Sequence, residues 1–178
     1  NFTNHPAFHW KTISTEHVVI HYEAGTAPER RLEEIKTSVE RSRTRVLQLM
    51  QLKDFTDRIH VFLVDSRPRM KTLMGAETYG GAIAKIRVVF AVVNATNNGC
   101  STHEFCHVIA GATWGKPERW LDEGFATYSD ERWPQRDAIA GRQAAAGRLL
   151  PLPTLAHDFL KHPGDETYIQ SASFVGFV

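Results

Sequence analysis

The chain is expected to fold as a single α+β domain, with a small N-terminal mixed β-sheet and a long helix, followed by a helical half. Three observations predict it. Short runs of β-branched and aromatic residues fall before residue 94. A long amphipathic stripe follows the first of them. From residue 101 onward the periodicity is helical.

The elements follow in order. His17-Val18-Val19-Ile20-His21-Tyr22 is short and β-branched, so it reads as a strand. Thr26 to Leu52 reads as one long helix. Thr26 and Glu29 fit a capping box, and Leu32, Ile35, Val39, Val46, Leu49 and Met50 trace its apolar stripe. Its arginines and glutamates are expected on a solvated face. Arg58 to Val64 is a second strand, and Gly80 to Val93 holds one or two more. Arg67, Pro68, Arg69 and Lys71 form a basic patch, expected on a loop. Asn94 to Gly99 is a polar loop. Helices are then expected around His103, at about 117–130, about 134–148 and about 166–178.

Composition limits the functional classes. At 178 residues the chain can bury a proper core, and its 42% hydrophobic and 23% charged content is that of an ordinary globular domain. A net charge of +1 gives no reason to expect a nucleic-acid partner. No apolar run approaches the roughly 18 residues that would span a bilayer. Two cysteines, Cys100 and Cys106, make no disulfide framework. The chain does not begin with Met and ends in the apolar stretch Phe174 to Val178, so it is expected to continue or to have been cut there. A cell-envelope or extracellular setting is expected over a cytoplasmic one.

His103-Glu104-Phe105-Cys106-His107 is an HExxH pattern. Residues four apart stack on one helix face, so His103 and His107 can grip one metal ion. Glu104 lies one step round, within reach of a water on that metal, and can act as its general base. A capping role is open as well, because Ser101 and Glu104 fit S-x-x-E at a helix start. The pentapeptide is too short to decide alone.

Fifteen residues separate His107 from Glu123, which lies within Trp120-Leu121-Asp122-Glu123-Gly124-Phe125-Ala126. Gly111 suits the end of the first helix and Pro117 the first turn of the next. Two helices joined by a short loop are usually antiparallel neighbours, so Glu123 can come back opposite the histidines as a third ligand. Gly124 would let helices approach closely. Trp120, Leu121, Phe125 and Tyr128 are expected to form a packed face. A thiolate ligand from Cys106 is conceivable, although a mid-helix cysteine is usually a small buried hydrophobe.

These two phrases resemble the gluzincin metallopeptidases, most of all the compact peptidase MA-like domains, and more distantly the aminopeptidase N type. The resemblance covers most of the chain, but its specific motifs occupy only about 24 residues. It implies a zincin-like fold, one zinc ion per chain held by His103, His107 and Glu123, and hydrolysis of peptide bonds with Glu104 as general base. The spacer to Glu123 is shorter here than in the better-known gluzincins, which the smaller domains tolerate. Tyr168-Ile169-Gln170-Ser171 resembles the helix that follows the metal site in such domains. In related peptidases a downstream Tyr or His bonds the oxyanion, which makes Tyr168 the candidate and His157 and His162, in a Pro-flanked stretch read as loop, its rivals. Peptidases of this kind often bind a peptide or protein substrate as an added strand. Gly80, Gly81 and Ala82 are small enough to admit one, or they form a turn. Two other outcomes stay open: a catalytically idle module that recognises a peptide or protein partner, and a structural metal domain.

Overall fold

Among the described residues all five strands precede residue 94, and helices lie between and after them, so the fold is α+β with a mixed sheet. The computed structural model describes residues 2–97, 99, 101–131, 133–162 and 164–177. They divide into two compact units, Asn1–Ala112 and Thr113–Val178. No helix among the described residues is long and apolar enough to cross a membrane.

In the first unit β1 (Trp10–Ser14) and β2 (Val18–Glu23) form an antiparallel hairpin. Helices α1 (Ala27–Arg30) and α2 (Leu32–Leu49) carry the chain to β3 (Ile59–Val64), which lies parallel to β2. Helix α3 (Arg67–Met74) leads to β4 (Gly80–Ile83) and then β5 (Val88–Val92). The sheet order is β1-β2-β3-β5-β4, with β5 parallel to β3 and antiparallel to β4. Every residue of β5 is buried and apolar, as a strand paired on both edges and covered on both faces requires. Phe62, Val64, Val88, Phe90 and Val92 pack with Phe8, Met70 and Leu73 in one core cluster. Helix α4 (Thr102–Thr113) closes the unit.

Several expectations need correction here. The helix from Thr26 is two helices, broken at Arg31 (φ −113, ψ 18). The Arg31 guanidinium donates to the carbonyls of Asn94 (2.5 Å) and Asn97 (3.1 Å), a tertiary engagement that no local pattern announces. No side chain caps α1 at Thr26. Thr26 Oγ1 donates to the Glu23 carbonyl, and Glu29 Oε2 accepts from the Gly25 amide instead. The face of α2 is not wholly solvated either. Arg43 is buried, with its guanidinium on Asp54 Oδ1 (2.5 Å) and the Phe55 carbonyl (2.9 Å).

The basic patch at 67–71 lies on helix α3, not on a loop. A proline in the first turn fits a helix start, and Gly75 (φ 82) ends the helix in the left-handed conformation. Gly80 to Val93 resolves into two strands, joined by a 3-10 turn at Ala84–Ile86. Gly111 does not end its helix but lies inside α4. A Cβ there would sit 2.5 Å from that of Ala84, so the glycine permits close packing of α4 on the 3-10 turn.

The second unit is helical: α5 (Arg119–Ser129), α6 (Arg136–Ala145), α7 (Leu152–Asp158), a 3-10 turn at Phe159–Lys161, and α8 (Asp165–Phe177). Helix α8 packs along α5. Gly124 makes that possible, since a Cβ there would lie 2.9 Å from the Ser171 carbonyl oxygen. Trp120, Leu155 and Phe159 form a small core against which Tyr168 and Phe174 pack. The Gln170 amide pins the segment after α6, bonding the N–H (3.0 Å) and C=O (2.8 Å) of Leu150. His157 lies on α7 rather than in a loop, and His162 ends the 3-10 turn; both are exposed.

Candidate metal centre

The loop before α4 organises itself. Asn94 Oδ1 accepts from the amides of Thr96 and Asn97, both at 3.0 Å, and Asn97 Oδ1 accepts from that of Gly99 at 2.9 Å. Gly99 (φ +65) passes so close to β5 that a Cβ would fall 2.2 Å from the Val92 carbonyl oxygen. The chain therefore leaves β5 in a tight turn and enters α4.

Helix α4 divides its faces sharply. Phe105, Cys106, Val108, Ile109 and Ala110 are buried, while His103, Glu104 and His107 are half-buried. The four-residue spacing brings the two imidazoles together, with ring centroids 4.8 Å apart and edge-to-face. Cys106 is on the buried side and is not part of a disulfide. It does not join the metal-binding group found among the described residues. Cys100 lies outside the described residues.

Glu104 lies against β4. A Cβ on Gly80 would stand 2.7 Å from Glu104 Oε1 and 3.3 Å from its Cγ and Cδ. Glycine at this position is what lets the carboxylate rest on bare backbone. Gly81 turns the other way, toward Met74, whose Cε would be 2.9 Å from an added Cβ. Ala82 is half-buried on the same strand. Of the two glycines, Gly80 is the one that adjoins the carboxylate. Strand β4 also ends the sheet among the described residues.

In α5 the buried side carries Trp120, Glu123, Gly124, Ala126 and Thr127, while Leu121, Phe125 and Tyr128 are only half-buried. The face thus runs through Glu123 rather than beside it. The Glu123 side chain is only 5% exposed and is paired with Arg119 Nη2 at 2.7 Å. His103, His107 and Glu123 offer one ligand atom each within 4.8 Å of one another, a group that could hold a metal ion.

Tyr168 packs its ring edge-on to Phe159, with centroids 5.1 Å apart. Burial pushes its phenol up, and the Glu123 carboxylate adds to that. A hydrogen bond from the Arg119 guanidinium pulls the other way. Tyr168 thus feels the Glu123 charge within the second unit, and His157 and His162 are exposed. Arg119 was missed by the motif, although its spacing from Glu123 is the ordinary i,i+4 signal of a helical ion pair.

No family model, curated protein or solved structure matches this chain.

Proposed function

We propose that the chain is a zinc-dependent peptidase, resembling the gluzincins of the peptidase MA-like kind. One observation carries the reading: Glu104 lies on the bare backbone of the edge strand β4, next in sequence to a histidine of the metal-binding group. That arrangement brings an acid-base group to the place where an extended peptide can add to the sheet.

The donor set suits zinc. Two imidazoles and one carboxylate leave a coordination position open, as catalytic zinc requires and a closed structural site does not. A tetrahedron with bonds of about 2.0 Å has edges of roughly 3.3 Å. The three ligand atoms lie within 4.8 Å of one another, wider than that edge, so an ion would have to draw them inward. His103, His107 and Glu123 would hold the ion. When bound, zinc polarises the scissile carbonyl and makes the attacking water more acidic.

The chain's own residues do the rest. The backbone of β4 holds the substrate in extended form, and Gly80 keeps the carboxylate and the substrate chain close. Glu104 accepts the proton from the water and delivers it to the departing amine. The Tyr168 hydroxyl donates a hydrogen bond to the oxyanion as it forms. Elemental analysis of purified protein, with hydrolysis of a mixed peptide pool, tests the reading. One zinc per chain and chelator-sensitive cleavage are expected. Zinc without cleavage would leave a peptide-binding module, and no zinc even after its addition would overturn the proposal.

A further inference from the structure

We propose that Arg119 is a positioning residue of the metal centre, clamping the Glu123 carboxylate and the Tyr168 hydroxyl into one hydrogen-bonded unit. The proposal rests on the peptidase reading and adds a residue outside both of its motifs.

Arg119 is the first residue of α5, four before Glu123, so the two share a helix face. Its Nη2 meets Glu123 Oε1 at 2.7 Å, a charge-assisted bond. The partners are unequal in burial, with 5% of the Glu123 side chain exposed against 55% of that of Arg119. The same guanidinium hydrogen-bonds Tyr168. Guanidinium has only donors, so the phenol oxygen must accept, and the phenol's own proton is left to be aimed elsewhere. A planar fork of five N–H groups can serve both partners at once, which an ammonium on a flexible stem cannot do with fixed geometry.

The fold supports the clamp from behind. Gly124, next to Glu123, lets Ser171 of α8 come within contact, and Ser171 is one helical turn beyond Tyr168. Phe159 packs on the phenol ring. Arg119 thus joins two side chains whose helices are already locked together. Fixing one oxygen of a carboxylate fixes its plane, and with it the direction of the other oxygen.

The test uses the full chain and zinc itself. Affinity is measured by competition with a chromogenic chelator, for the wild type, Arg119→Ala and Arg119→Lys. Arg119→Ala is expected to weaken zinc by about 10–100-fold, the usual cost of losing a ligand's hydrogen-bond partner. Arg119→Lys should recover most of that affinity, because it keeps a cation on Glu123. At saturating zinc, kcat should fall in both variants, and in the Tyr168→Phe background Arg119→Ala should lower it no further. Circular dichroism of the metal-free proteins checks folding. If Arg119→Ala does not fold, the split between affinity and kcat in Arg119→Lys decides. Zinc affinity within about twofold of wild type in Arg119→Ala overturns the clamp while leaving the peptidase reading intact. A wild type that binds no zinc overturns both.

Discussion

Strand β5 buries five residues and all are apolar, whereas the buried face of α5 includes Glu123, Thr127 and Ser129. The contrast runs through the two units. In the first, His103, Glu104 and His107 lie on the half-buried face of α4, and the core behind them is Phe105, Val108 and Ile109. In the second, a carboxylate is itself part of the buried surface and brings Arg119 with it. An exposed functional group can be changed without disturbing the fold, but a buried one is tied to its partners. The consequences of substitution should therefore differ between the two helices.

The largest effect expected is on Glu104. Glu104→Gln should lower kcat by about 10²–10⁴-fold, since an amide cannot take the proton. Zinc content and thermal unfolding should stay as in wild type. Glu123→Gln should instead weaken zinc and alter stability together. Titration of both variants with zinc, followed by melting, sets the two helices apart. If Glu104→Gln kept full activity against a substrate the wild type cleaves, the mechanism would be wrong.

Tyr168→Phe removes one hydroxyl and should lower kcat by about 10²–10³-fold with little change in KM, the pattern of a lost transition-state bond. Steady-state kinetics on the zinc-loaded protein read this directly. A loss of only a few-fold would return Tyr168 to a packing role.

Gly80→Ala is smaller in effect and sharper in meaning. The new methyl would meet Glu104 Oε1 at 2.7 Å, and the flexible carboxylate would have to move. An activity loss approaching 10²-fold is expected from such a displacement, with zinc affinity unchanged. Equal activity would mean that the base does not work from the position it holds here.

The smallest effect belongs to a polar chain within the first unit. Thr12 Oγ1, His21 Nδ1, His21 Nε2 and His60 Nδ1 are joined by two 3.0 Å hydrogen bonds. Burial pushes the His21 imidazole down to about 4, and the neighbouring His60 adds to it. A lowered folded value means that the unfolded chain takes up the proton first. Stability is then full above about pH 6.5 and falls as pH drops toward 4. On the order of 1 kcal/mol should be lost between pH 6.5 and 5, once solvent screening of the ring is allowed for. Urea melts across that range should have this slope, and His21→Gln should flatten it.

What was legible in the chain was what local periodicity controls. The i,i+4 spacing of His103 and His107 survives because the helix alone fixes it. The strands at 17–22 and 58–64 are visible as β-branched runs, and one or two more are legible within Gly80 to Val93. What was hidden depends on distant partners. Arg31 breaks a helix because its guanidinium reaches Asn94 and Asn97. Arg43 is buried because Asp54 and Phe55 receive it. Gly111 looked like a helix end and is a packing site for Ala84. Arg119 carried a visible spacing, but an i,i+4 ion pair is common on exposed helices, and nothing local says that its glutamate is buried.

An open sheet edge has a second consequence, for solubility. An edge strand that could receive a substrate strand could equally receive another copy of the protein and start a fibre, and at β4 the Thr78 hydroxyl already donates to the Gly80 carbonyl at 3.0 Å. Strand β4 is only four residues long and begins with two glycines, which have no side chains to zip against a neighbour. At the opposite rim, Lys11 lies within the five-residue β1 and is tied to Glu29 at 2.8 Å. One edge is short and the other carries a charge, and both features disfavour edge-to-edge pairing.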